Sequence, residues 1–242
     1  SLPGILGVLV PDDFAGIRLG HLIADEPILT TVARYVGDAV AAVAATDGDS
    51  LARGIEALEI EYQVLPHALN TEEALELTTP IHDSCPDNVA TRFAVQRGDW
   101  NAAAARAAVW AEGTFNTEAV PHAYLEPRAC LARYLPERLE LVAGNHAPSI
   151  LADDYRRIVG TWGRNLEVIT PDIGGSFGAK WEHPTHLVSL AFAHRLERDV
   201  AMVFSRNEDM IAGRTRLCGP AASREISRPL RRASDDSRRE GR

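Results

Sequence analysis

Asp172-Ile173-Gly174-Gly175-Ser176-Phe177-Gly178-Ala179-Lys180 is the stretch on which the reading of this chain turns. Before it, Leu166, Val168 and Thr170 fall on one face of a predicted strand. After it, Thr185 to Leu196 reads as an apolar helix. A glycine-rich loop in that position lets backbone approach a ligand closely, because glycine tolerates positive φ. Its N–H groups can hold an anion or an oxo group. The same loop can also be no more than a tight connection. Two phosphate-binding patterns fail on spacing. A P-loop needs Gly-Lys-Ser/Thr, and Ala179 separates Gly178 from Lys180. A dinucleotide fingerprint needs G-x-G-x-x-G, and the glycines here are spaced G-G-x-x-G.

Working outward, the spacing predicts an α/β chain. Asp38 to Thr46 reads as a buried strand, with Asp49 or Ser50 capping a helix that carries Leu51, Ile55 and Leu58 on one face. Ile60, Tyr62 and Val64 alternate with Glu61 and Gln63, predicting a half-buried strand ended by Pro66. The Pro-rich, acidic stretch that follows reads as a connection with a short helix at Thr71 to Leu77. Asn101 to Ala108 is predicted helical. Val109 to Thr117, Arg128 to Tyr134 and Leu139 to Ala143 are predicted strands, as is Val200 to Phe204. Helical spacing spans Pro148 to Gly160.

Composition excludes several classes. The net charge of -9 repels phosphate backbones, so nucleic acid is not an expected partner. No apolar run is long enough to span a membrane, and the opening residues Ser1-Leu2-Pro3-Gly4 do not resemble a signal peptide. Cys85, Cys130 and Cys218 are far apart, without a C-x-x-C, so neither a disulfide framework nor an iron–sulfur cluster is expected on this chain. Unpaired thiols suit a reducing cytoplasm, the expected location. His183-Pro-Thr-His186 has two histidines but lacks the H-E-x-x-H of a zinc site, and no metal ligated directly by the protein is expected.

The loop resembles the G-G-G-F-G-G-K signature of the molybdenum hydroxylases, the xanthine dehydrogenase and aldehyde oxidase family. Other phrases match that family in order. They are Arg34-Tyr-Val-Gly-Asp-Ala-Val-Ala-Ala-Val43, Glu59-Ile-Glu-Tyr-Gln-Val-Leu-Pro66, Gly98-Asp99, His122-Ala-Tyr-Leu-Glu-Pro127, and Ser205-Arg-Asn-Glu-Asp-Met210 with Gly213-Arg-Thr-Arg216. The resemblance runs from about Leu2 to Arg216 and is to the molybdopterin-binding subunit. It implies an α/β (α+β) fold: a partial α/β hammerhead domain over residues 1–68, a connection over 69–87, and part of the first molybdopterin-binding domain over 88–216. It implies a molybdenum–molybdopterin cofactor, as the mononucleotide or the cytosine dinucleotide. It further implies hydroxylation of an aldehyde or N-heterocycle with water-derived oxygen, and partner subunits carrying [2Fe–2S] clusters and FAD. Gly174, Gly175, Phe177 and Gly178 are then the cofactor-binding loop. Arg216 matches an arginine that orients substrate or stabilises developing negative charge.

The chain departs from the family at several points. In Gly144-Asn-His-Ala-Pro148 the family has a glutamine that hydrogen-bonds the cofactor, where His146 stands. Imidazole can donate one such bond. Glu182 is shifted from the position of a substrate-binding glutamate in some relatives. After Arg216 the resemblance stops, and residues 217–242 are Arg-rich and without aromatics. The expectation there is a disordered or frameshifted tail. No residue matches the family's catalytic glutamate. The chain is thus expected to be a fragment that is inactive in isolation, with a non-catalytic partner-binding or scaffold protein as the alternative.

Overall fold

The computed structural model describes residues 2–21, 23–181, 183–213, 215–216 and 219–227, with backbone alone for Trp110, Thr215, Arg216 and Gly219–Ser227. In chain order its elements begin with β1 (Ile5–Leu9), a 3-10 turn (Pro11–Phe14), β2 (Arg18–Leu19), β3 (Glu26–Pro27), β4 (Ala42–Ala45), α1 (Gly48–Glu56), α2 (Thr71–Glu76) and α3 (Trp100–Ala104). They continue with β5 (Val109–Thr117), β6 (Val120–Pro121), β7 (Ala129–Tyr134), β8 (Arg138–Ala143), α4 (Pro148–Thr161) and β9 (Asn165–Ile169). Last come α5 (Pro184–Leu196), β10 (Val200–Val203), α6 (Arg206–Ala212), β11 (Thr215–Arg216) and β12 (Gly219–Ser227). Mixed helix and strand content is what the sequence implied.

Two compact units emerge: residues 1–63 with 120–216, and residues 64–119 with 217–242. The centre of the first is a four-stranded sheet of order β10-β7-β8-β9. β7 and β8 form a hairpin closed by mutual backbone bonds between Leu135 and Arg138, around Pro136 and Glu137. β8 and β9 run parallel, so the chain must cross over between them, and α4 makes that crossing. α4 packs on β9, while α5 packs on β7, β8 and β10. Leu139, Leu141, Ala132, Leu187 and Leu190 are fully buried between sheet and helices. The β1–β4 pair joins the same core. Gly7 of β1 is where α5 comes close, since a Cβ there would lie 3.5 Å from the Phe192 ring. α1 rides on the β1–β4 pair through Gly54, where a Cβ would meet Ile5 at 2.5 Å.

The second unit is built from short pieces. Asn88, at φ 56°, ties the turn after α2 together. Its amide nitrogen donates to the carbonyls of Ala74, Leu77 and Thr79, and its amide oxygen accepts from Ile81 N–H. β5 pairs antiparallel with β12, from Val109 opposite Ser227 to Thr117 opposite Gly219.

Some expectations need correction. The cap of α1 is Asp47, which accepts Ser50 N–H, rather than Asp49 or Ser50. Residues 58–64 form no strand, and Tyr62 and Val64 are exposed. Alternation there reports a pattern without a neighbouring strand to pair with, and pairing, not alternation, makes a strand. Within the tail expected to be disordered or frameshifted, residues 219–227 form β12 and pair along β5. Backbone bonds need no apolar side chains, so a low hydrophobic content did not forbid it. The rest of the tail, 217, 218 and 228–242, lies outside the described residues.

Helix α6 begins at a capping box. Ser205 accepts from Glu208 N–H, and Glu208 reaches back to Ser205 N–H at 2.7 Å. Ser205→Ala should lower stability by about 1 kcal/mol, read as a shift in the urea midpoint at unchanged slope.

Candidate functional site

The loop between β9 and α5 holds its shape through four side chains from elsewhere in the first unit. Glu126, in the segment between β6 and β7, accepts Gly174 N–H at 2.8 Å, and its own N–H donates to Gly174 O at 3.3 Å. The same carboxylate oxygen receives Lys180 Nζ at 2.5 Å. Lys180 is 2% exposed, and its ammonium also lies 4.9 Å from the centre of the Tyr124 ring. Arg128, likewise buried, donates to Ala179 O at 2.8 Å. His146 approaches from beyond β8. Its N–H donates to Lys180 O at 3.1 Å and its Nδ1 lies 2.8 Å from Ser176 Oγ.

Ser176 links the loop to His146. Its hydroxyl oxygen accepts Lys180 N–H at 3.1 Å and lies 2.8 Å from His146 Nδ1. The His146 ring packs against Trp181, with centroids 5.1 Å apart, and the residue remains exposed.

The crown of the loop is a turn closed by Ala179 N–H on Ser176 O at 3.0 Å. Phe177 (φ 52°) and Gly178 (φ 98°) both lie in the left-handed region, and so does Gly175 (φ 97°). Phenylalanine is unusual there, and its ring is 69% exposed, which rules out a role in the core. Among the described residues, the N–H groups of Gly175, Phe177 and Gly178 donate to no protein acceptor. A Cβ on Gly178 would meet only His122 Nε2, at 3.7 Å. The loop therefore presents unclaimed donors and open space on the side of Gly178. That combination fits a bound oxo or anionic group.

Electrostatics support the frame. Lys180, then the Gly174 N–H, hold the Glu126 carboxyl below the usual carboxylate range. Tyr124 OH donates to Asp209 at 2.7 Å, and burial followed by that bond pushes the phenol up to about 12. Arg206 donates to the carbonyls of Tyr124 and Leu125, at 2.8 and 2.5 Å, pinning the segment that carries Glu126.

Gly174, Gly175, Phe177, Gly178 and His146 are thus brought together. Arg216 lies in β11, opposite Val120 of β6, two residues before His122; only its backbone is described. Glu182 lies outside the described residues. His183 and His186 each engage other protein groups. His183 Nδ1 bonds Thr185 Oγ1, its Nε2 lies 3.2 Å from Ala212 O, and His186 Nδ1 lies 3.0 Å from Tyr155 OH. Sequence reasoning gave no role to Glu126, Ser176, Lys180 or Arg128. Glu126 and Lys180 stood inside quoted phrases, but 54 residues apart, and nothing in the spacing joined them.

Residues 81–217 match the family described as molybdopterin cofactor-binding domain. The chain is 30% identical to the nicotinate dehydrogenase large molybdopterin subunit of Eubacterium barkeri, over 79% of its own length and 45% of that protein's. It is 29% identical to a putative xanthine dehydrogenase molybdenum-binding subunit of Escherichia coli, over 89% of its own length and 30% of that protein's. Among solved structures, quinoline 2-oxidoreductase from Pseudomonas putida superposes with a TM-score of 0.78 at 27% identity, covering 86% of this chain and 28% of that one. The chain thus spans less than half the length of these relatives.

Proposed function

The chain belongs to the molybdopterin cofactor-binding domain family, within the molybdopterin-binding large subunits of xanthine dehydrogenase and aldehyde oxidase type, and from that premise we propose that Gly174, Gly175, Phe177 and Gly178 hold a molybdenum–molybdopterin cofactor with His146. One observation carries this: the exposed loop, with the N–H groups of Gly175, Phe177 and Gly178 left without protein acceptors among the described residues. When bound, the cofactor supplies insertion of a water-derived oxygen at an electron-poor carbon of an aldehyde or N-heterocycle.

The chain's own residues prepare the seat. The three N–H groups donate to oxygen atoms of the bound group. The His146 ring adds a further donor from the side, in the role that glutamine has in the resembling family. The exposed Phe177 ring covers the seat and keeps water away from it. Arg216 orients substrate, and Glu182 contacts it. Partner subunits with [2Fe–2S] clusters and FAD take the electrons away. In this reading residues 1–68 are a hammerhead-type segment and 88–216 part of the first molybdopterin-binding domain.

Co-expression of the chain with such partners, followed by molybdenum and pterin analysis of the purified complex, tests the proposal. Stoichiometric cofactor is expected. Gly178→Val should abolish it, because a branched side chain at φ 98° is strained and fills the open side of the loop. His146→Ala should reduce cofactor content by roughly tenfold, the value of one good hydrogen bond to a charged group, whereas His146→Gln should retain it. A complex without molybdenum or pterin would instead favour a scaffold role.

A further inference from the structure

Lys180 is the chain's only lysine, and it is buried at 2% exposure against a carboxylate that is itself 47% exposed. A buried ammonium is costly unless paired. Burial of this kind fixes a geometry, since the pair cannot slide without exposing one charge unpaired. What it fixes is visible in the partners. The Glu126 oxygen that takes Lys180 Nζ also takes Gly174 N–H, and Glu126 N–H returns a bond to Gly174 O. Lys180 stands at the other end of the loop, with its own N–H on Ser176 and its carbonyl on His146. One carboxylate therefore ties the first residue of the loop to the last.

Steric fit closes the same knot. A Cβ at Gly174 would lie 2.5 Å from Glu126 Cβ. At Gly144 it would lie 3.0 Å from Ile173 and 3.9 Å from both Glu126 Oε2 and Lys180 Cδ. Two backbone positions thus converge on the pair, Gly174 with no room for a side chain and Gly144 with little. Below it, Tyr124 offers its ring face to Lys180, and Arg206 holds the carbonyls on either side of the bond between Tyr124 and Leu125.

We propose that Glu126 and Lys180 form an ionic latch across the feet of the Gly174–Gly178 loop, making Glu126 a positioning residue for the cofactor seat. Neither residue touches the cofactor in this arrangement. Each acts through the loop backbone. Opening the latch frees Gly174 and Lys180 together, which loosens the turn at Phe177 and Gly178 and unseats His146. The link to a cofactor rests on the function proposed above; the latch itself does not.

The test uses the full chain with two variants. Glu126→Gln keeps the size and one acceptor but removes the charge. The double variant Glu126→Gln with Lys180→Met removes both charges, so that no unpaired buried ammonium remains to unfold the protein. Amide exchange at Gly174, Ala179 and Lys180 should quicken by roughly tenfold or more in Glu126→Gln. In the same variant an amine-reactive reagent should label Lys180, which is protected in the parent chain. In the double variant the amides of Leu139 and Leu141 should regain parent protection while the residue 174 and 179 amides stay fast. Parent-like loop exchange in the double variant would overturn the latch. The cofactor arm is separate: pterin content of the co-expressed Glu126→Gln complex should fall with the loop's protection. A loosened loop with full pterin content would overturn the claim that the latch serves the cofactor.

Discussion

Tyr155→Phe is expected to destabilise the chain by about 2–4 kcal/mol, although it removes one oxygen atom and no apolar surface. Tyr155 is on α4, fully buried, and its hydroxyl is shared three ways. It accepts His183 N–H at 2.8 Å, donates to His183 O at 2.9 Å, and lies 3.0 Å from His186 Nδ1. His183 is the residue before α5, the helix that follows the Gly174–Gly178 loop, and its ring caps Thr185 N–H. The hydroxyl thus fastens the start of α5 to α4. Phenylalanine would leave His186 with neither ring nitrogen bonded among the described residues, since Nε2 already has no partner. Unsatisfied buried groups cost about 1–3 kcal/mol each, and the loss of three shared bonds exceeds what relaxation can recover. Urea unfolding measures it: the midpoint should fall at unchanged slope. A change under about 0.5 kcal/mol, the size of an ordinary surface effect, would mean that water replaces the hydroxyl without cost.

The sheet and its two helices were legible in sequence for a simple reason. β7 and β8 carry the buried residues of the sheet, α4 has a periodic pattern between Pro148 and Gly160, and α5 is a long apolar run opened by Pro184. The loop was legible because glycines at 174, 175 and 178 serve needs that no other residue meets as well. Other features left no such trace. β1 and β2 are short and belong to a core completed by residues more than a hundred positions away. α6 did carry a readable signal, the Ser205-x-x-Glu208 capping box, hidden inside a phrase taken for a family motif. Ile60 to Val64 shows the converse: alternation without a partner strand. The buried partners of the loop were out of reach. Glu126, Arg128 and Lys180 are charged residues, and a sequence gives no reason to bury them until the fold pairs Lys180 with Glu126 and sets Arg128 on the carbonyl of Ala179.

Stability should fall steeply as the pH drops from about 6.5 toward 5, and His186 should be the cause. Its ring is on the inner face of α5 and 1% exposed. Burial first, and then the neighbouring Arg128 guanidinium, push its pKa from 6.5 down to about 3. In the unfolded chain the ring takes a proton near 6.5. In the folded chain it stays neutral until about 3. Between these values the unfolded state binds more protons, so stability rises with pH. The contribution is fully present above 6.5 and is lost as the pH falls toward 3. The slope approaches about 1.4 kcal/mol per pH unit, and the whole window amounts to about 5 kcal/mol. Carboxylates act lower. Glu126 and Asp47 are held below their ordinary values of 4.5 and 3.8, so their contributions are present above those values and disappear beneath them. The interval from 6.5 to 5 therefore isolates histidine. Urea midpoints at steps across that interval should fall in the parent chain. In His186→Gln, which cannot take a proton, the decline should be much shallower, whatever the variant's starting stability. Equal slopes for the two proteins would show that His186 stays accessible to protons in the folded chain, and would place the acid sensitivity elsewhere.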